Sequence, residues 1–188
     1  MHPVFQYIIF MNKTESQMNL NRLNRDFFNR DVLLVAPELI NKILVRKYSD
    51  GDIKRYRITE TEAYRGEEDL ACHASKGRTT RTGVMYHSGG KVYVYLIYGM
   101  YQMLNFVTSD EDNPQAVLIR GIEGFNGPGK LTKHLRIDKS FYGEDLSSSD
   151  RIWVENDGIL PEYSTGTRIG IDYAGEWKDK PWRFFSLK

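Results

Sequence analysis

Apolar and polar positions alternate with a period of two from Lys91 to Tyr98, where Val92, Val94 and Leu96 face one way and Tyr93, Tyr95 and Ile97 the other. This pattern predicts a strand with one aliphatic and one aromatic face. A longer β-rich run from Ile53 to Tyr64 follows Ile43 to Tyr48 and the turn Ser49-Asp50-Gly51-Asp52, a hairpin signature. Further strands are predicted at Gln102 to Thr108, Ala116 to Ile122, Arg168 to Tyr173 and Trp182 to Leu187. A helical period links Leu33, Leu34, Leu39, Ile40 and Ile43 behind Asp31, a good N-cap, and Pro37 should kink that helix or mark its first turn. Gly127-Pro128-Gly129 opens a second predicted helix through Leu131, Leu135 and Ile137.

From Arg65 to Gly90 neither period holds. The segment is polar, rich in Gly, Ser and Thr, and reads as a long loop region of the kind that carries function on a rigid scaffold. Strands in hairpin succession with few helices predict an α+β fold on a mostly antiparallel sheet. No period of about 20 to 50 residues recurs. Residues 24–188 are therefore read as one domain and 1–23 as a poorly defined N-terminal extension, with Met11 and Met18 as alternative starts.

Composition adds exclusions. At 188 residues with 40% apolar positions, folding removes roughly 70% of the unfolded surface, enough for a core without staples. The lone cysteine, Cys72, excludes an internal disulfide and multi-thiolate metal sites, and points to the cytosol. The apolar stretch Pro3 to Met11 is too short to span a bilayer and lacks the basic lead of a secretory signal, so no membrane partner is expected. Net charge is only +1, yet no acidic residue lies between Asp69 and Asp110, where Lys76, Arg78, Arg81 and Lys91 fall. Lys130, Lys133, Arg136 and Lys139 form a second basic cluster. Such clustering fits a basic face for nucleic acid, or lysines that merely solvate loops.

Glu60 and Glu62, two apart in a predicted strand, share a face with Tyr64. They form either a general base beside a stacking platform or the solvated edge of a sheet. Glu67, Glu68, Asp69, Cys72 and His73 invite a metal reading but lack paired ligand spacing, which leaves His73 as a hydrogen-bonding group. The run Gly124 to Lys130 matches G-x-x-x-x-G-K, but Leu131 replaces the magnesium-binding hydroxyl, which argues against a nucleoside triphosphatase. Lys130 and Lys133 beside that glycine-rich helix start, and Arg78 and Arg81 in the acid-free segment, are candidates for backbone phosphates. Tyr86, Tyr93, Tyr95, Tyr98 and Tyr101 crowd the same segment, either as a half-buried sheet face or as flat surfaces for bases.

Taken in order, TETEAY, DLACH, KVYVYLIYGMYQMLN, AVLIRGIE, GPGKLTKHLRID and RIGIDYAGEW followed by PWRFF closely resemble the alkyladenine (3-methyladenine) DNA glycosylase family from about Asp26 to Phe185. The resemblance implies a single domain with a curved antiparallel sheet and surrounding helices, no helix-hairpin-helix, and no metal or redox cofactor. It implies damaged double-stranded DNA as partner and a DNA-associated location; no heptad or apolar surface stripe suggests self-association, so a monomer is expected.

Residue by residue, Glu62 resembles the general base that activates water, with Arg120 in the place of an arginine near that water. Tyr64 resembles the tyrosine on which the flipped base stacks, His73 the base-pocket histidine and Tyr95 the opposite wall. Asn105 resembles the pocket asparagine that clashes with the guanine amine. Tyr98 resembles the side chain that enters the minor groove and fills the hole left by the extruded nucleotide. Ile171 lies where the family's pocket lining varies. No lysine is placed beside Glu62, so a monofunctional hydrolase leaving an abasic site is expected. A binding-only module would keep the tyrosines without needing Glu62. A formyltransferase-like or RNA-binding domain on a similar fold would not need the full motif set. A phosphohydrolase would place magnesium among Glu60, Glu62 and Asp69.

Overall fold

A computed structural model describes residues 22–187. Most of the N-terminal extension expected over residues 1–23 lies outside them. Its last two residues are attached to the fold: Arg22 bridges Glu155, and Leu23 joins the core.

Among the described residues, nine strands form one curled antiparallel sheet: β1 (Ile43–Lys47), β2 (Ile53–Arg65), β3 (Val92–Ile97), β4 (Tyr101–Thr108), β5 (Gln115–Ile122), β6 (Phe125–Asn126), β7 (Ile152–Glu155), β8 (Tyr163–Gly166) and β9 (Arg183–Ser186). The main path runs β3-β4-β5-β2-β1-β7, with β6 on β5, β9 on β2 and β8 on β9. The 13-residue β2 changes partner along its length. Its first half pairs β1, and after a bulge around Glu60 its second half lies between β5 and β9. Such a bulge bends the strand and adds twist, which curls the sheet.

The helical complement is slight: α1 (Arg25–Phe28), α2 (Val32–Glu38) and α3 (Pro128–His134). Asp31 caps α2 as expected, accepting from the Leu33 amide at 2.9 Å. Pro37 does not start α2. It sits in the last turn, and the helix stops one residue later, since a proline ring cannot continue the amide ladder. Leu39 and Ile40 pack in the core beyond the helix, and Ile43 already begins β1. Gly127 caps α3 and Pro128 opens it; position 129 is glycine where the Tyr101 ring lies against the helix, since a Cβ there would come within 2.8 Å of that ring.

Alternation sorts side chains to two sides. Ala63 of β2, Val92 and Val94 of β3, Leu104 and Phe106 of β4, and Val117 and Ile119 of β5 join Phe28, Val32, Val35 and Leu39 in the main core. The intervening positions, Tyr64, Tyr93, Tyr95, Val107 and Ala116, pack with Cys72, Met85 and Tyr86 in a second cluster. The long Arg65 to Gly90 region covers that second side with two short 3-10 turns, His73–Lys76 and Gly83–Tyr86. Arg168 to Tyr173 is not a strand. It is an irregular loop between β8 and β9: Ile171 packs with Ala71 and Tyr64 while Ile169 and Tyr173 stay exposed, and no strand among the described residues pairs with it. Three strands escaped the pattern: β7 is buried at every position and so shows no alternation, and β6 and β8 are short.

Candidate active site

The register of β2 on β5 places Leu118 opposite Glu62 and Ala116 opposite Tyr64. Arg120, on the same side of β5, reaches both acidic residues: its Nε donates to Glu60 Oε1 at 3.1 Å and lies 3.4 Å from Glu62 Oε1. Glu60 is also held by Arg183 of β9 at 3.1 Å, so its charge is shared by two guanidiniums. Glu62 is fully buried. It accepts the Tyr64 hydroxyl at 2.8 Å on Oε2 and the Ile169 amide at 2.8 Å on Oε1. Burial pushes its pKa above the usual carboxylate range, against the opposing pull of Arg120 and these two hydrogen bonds.

Beside this carboxylate lies a cavity of about 420 Å³, walled by Tyr64, His73, Tyr93, Tyr95, Asn105, Arg120 and Ile171, with Met85, Met103 and Leu118. Glu62 sits just behind the wall, touching three of its members: Tyr64, Arg120 and Ile169. His73 packs edge-on to Tyr95 at 4.5 Å, and its Nδ1 is 2.9 Å from the Tyr93 hydroxyl. Burial, helped by nearby Arg81 and Lys76, lowers the His73 pKa to about 4, so the imidazole is neutral at pH 7. Burial raises the Tyr64 and Tyr95 phenols, which stay protonated. Both amide protons of Asn105 go to the carbonyls of Tyr93 and Met103, at 3.1 and 3.2 Å. Its oxygen is therefore the group left for the cavity.

The mouth carries the β3–β4 turn, Tyr98-Gly99-Met100. Tyr98 is 82% exposed and has φ of +52°. A left-handed tyrosine costs about 1–2 kcal/mol relative to glycine, so this hairpin tip holds a large ring in solvent at a conformational cost. Met100 and Tyr101 are exposed beside it.

The four basic candidates divide. Arg81 is part of the cavity wall, with its guanidinium 5.0 Å from the Tyr95 ring centre. Arg78 is exposed, 3.3 Å from Asp112 and stacked on Tyr86. Lys130 and Lys133 are exposed on α3, whose Pro128 lines the cavity. The acidic, thiol and imidazole groups between Glu67 and His73 turn to different partners: Glu67 to Tyr86, Asp69 to Arg168, and His73 to Tyr93. Burial pushes the Cys72 thiol up to about 12, which leaves it an inert part of the wall.

Sequence reasoning missed Arg168, Asp69 as its partner, and the Ile169 amide. No local pattern marks them, because their partners lie about a hundred residues away along the chain.

The methylpurine-DNA glycosylase family profile matches residues 26–126 and 124–188, nearly all of the described chain. The chain belongs to this family. Three relatives provisionally named 3-methyladenine DNA glycosylase illustrate the match. The protein from Psychrobacter cryohalolentis is 45% identical over 193 residues, covering 87% of this chain and 91% of the relative. That from Desulfitobacterium hafniense is 44% identical, covering 88% and 95%. That from Rickettsia felis is 48% identical, covering 86% and 91%. A glycosylase family accounts for an aromatic cavity backed by a carboxylate, and it makes this chain a DNA repair hydrolase. No helix among the described residues is long and apolar enough to cross a membrane.

Proposed function

We propose that this chain is a monofunctional DNA N-glycosylase. It draws an alkylated or deaminated purine nucleotide out of a damaged duplex and hydrolyses the glycosidic bond with a water activated by Glu62, leaving an abasic site. The carrying observation is the fully buried Glu62, backed by Arg120 and set directly behind a cavity with tyrosine walls.

A stacked base is beyond reach, so the nucleotide must leave the helix at a cost of a few kcal/mol, least for damaged or mispaired bases. Tyr98 is suited to fill the gap, since a large exposed ring stands at the cavity mouth. The base then lies between Tyr64 and Tyr95. Alkylation at N3 or N7 makes the purine cationic, which favours electron-rich faces and weakens the glycosidic bond. As the C1′–N9 bond breaks, its electron pair leaves with the purine and positive charge develops on the sugar. Glu62 stabilises that charge, and its Oε2, which accepts only the Tyr64 hydroxyl, keeps a lone pair for the proton of the attacking water. Arg120 orients the carboxylate. A neutral purine needs help in leaving, and His73, already neutral, offers a hydrogen bond rather than an imidazolium proton. Asn105 presents an acceptor, so it would exclude guanine by shape rather than polarity. Arg78, Lys130 and Lys133 are assigned to backbone phosphates, and binding should weaken with salt as counterion release loses its advantage. The acting species is taken to be the monomer.

The test is a single-turnover assay in EDTA on one hypoxanthine duplex and one randomly methylated duplex, followed by alkali. Strand cleavage that needs alkali, with wild type and not with Glu62→Gln, is expected. Lesion binding without cleavage by wild type would favour a binding module, and cleavage lost in EDTA would favour a metal-dependent hydrolase.

A further inference from the structure

Under the Tyr64 ring lies a charged pair that the proposed chemistry does not use. Arg168 and Asp69 have fully buried side chains and bond twice, at 2.5 and 2.9 Å. The Arg168 guanidinium is sandwiched 4.9 Å from the Tyr64 ring centre and 5.1 Å from that of Trp182. It also donates to the Ala63 carbonyl at 2.9 Å and the Trp177 carbonyl at 3.1 Å. Asp69 in turn accepts the amides of Arg65 and Ala71, at 3.1 and 3.0 Å, which fixes the chain leading into His73. The residue after Arg168 is Ile169, whose N–H bonds Glu62.

Stability alone gives poor reason for this arrangement. A buried ion pair seldom outperforms apolar residues of similar size, because desolvation offsets the attraction. Here the account is worse still, since Arg168 Nε is buried with no hydrogen-bond partner. What the pair does provide is geometry. A planar fork locked at both ends holds three parts of the site in one register: the covered face of the Tyr64 platform, the loop carrying the Glu62 amide donor, and the approach to His73.

We propose that Arg168, clamped by Asp69, is a positioning residue for base excision: it sets the Tyr64 ring and the Ile169 N–H relative to Glu62 as one rigid unit. This rests on the glycosylase reading above. Around Glu62 the charged and titratable groups are Arg120 from β5, Glu60 and Tyr64 from β2, and Tyr95 from β3, with Arg183 of β9 acting on Glu60. The Ile169 amide is the hydrogen-bond donor to Glu62 that the Arg168 loop controls, and it favours the ionised form.

The test compares wild type, Arg168→Lys and the double variant Arg168→Met with Asp69→Leu. Each is followed by thermal melting and by single-turnover release of hypoxanthine from about pH 5 to about pH 8. The lysine keeps the charge and loses the fork. The double variant removes both charges, so neither is left buried without its counter-charge, although the Arg65 and Ala71 amides lose their acceptor. Both variants should fold and bind the lesion duplex, yet release base about ten- to a hundredfold more slowly, the scale of a small misplacement. The acid limb of the rate profile should move to higher pH by about half a unit to one unit, because a weakened amide bond no longer favours the carboxylate. A purely structural pair would lower the melting temperature without moving that limb. A folded variant with wild-type rate and acid limb overturns the proposal, as does failure of both variants to fold. Absence of base release by wild type overturns the glycosylase reading instead, and does so before any variant is compared.

Discussion

Glu62 and Asp69 are both fully buried and both face an arginine, yet their surroundings differ. Asp69 accepts two guanidinium bonds and two backbone amides, which fills roughly the four lone-pair positions a carboxylate offers. Glu62 accepts two hydrogen bonds, and its arginine stands off at 3.4 Å while bonding Glu60 more closely. A carboxylate with every lone pair committed is a brace. One held at a raised pKa beside a cavity, with capacity left over, can take a proton from water.

The largest effect should come from breaking the open member. Glu62→Gln is expected to slow base release on the order of a thousandfold or more, about 4 kcal/mol in barrier, while the melting temperature and lesion binding hold. A similar drop in stability would make Glu62 a brace too. Next comes the filled member. Asp69→Asn leaves a guanidinium buried without its counter-charge and should cost about 3–4 kcal/mol in chemical denaturation. If stability barely changes, the two carboxylates are less different than their hydrogen bonds imply.

His73 gives a smaller, pH-dependent test on the wall between them. Its pKa falls from 6.5 to about 4 on folding. Between those values the unfolded chain binds the proton and the folded chain does not, so stability is lost as pH falls from 6.5 and the loss is complete near 4. The total loss should amount to about 3 kcal/mol, and His73→Gln should remove it. An unchanged loss would place the imidazole in water. The smallest effect belongs at the hairpin tip. Tyr98→Gly should stabilise the fold by about 1 kcal/mol by relieving a left-handed tyrosine, while weakening lesion-duplex binding at least about tenfold. Loss of stability there would assign the ring to packing.

Much of the fold was legible because local rules and tertiary packing agree. The β3 alternation, the hairpin of β1 and β2, the Asp31 cap and the Gly-Pro-Gly start of α3 all hold. The failures have separate causes. Arg168 to Tyr173 carries β-rich residues, but only Ile171 among its apolar residues is buried, against Ala71 and Tyr64, while Ile169 and Tyr173 are exposed, so apolar character was mistaken for pairing. Pro37 stands in the last turn of α2, so its missing amide donor interrupts only the end of the ladder and the helix stops at Glu38.

In the site, the sequence by itself determined which residue types were available: two glutamates and a tyrosine on one face of β2, an aromatic face on β3, and a basic, acid-free loop region. Tertiary structure alone decided which glutamate is buried. In a strand Glu60 and Glu62 are equivalent by spacing, and only the bulge, β9 and the loop at Ile169 separate them. It also moved Arg81 onto the Tyr95 ring and joined Arg168 to Asp69 across 99 positions of chain. The physical reason is that periodicity reports a side chain's direction within its own element. Burial, ion pairing and pKa depend on what other elements bring to that side chain, and the folded chain alone specifies those contacts.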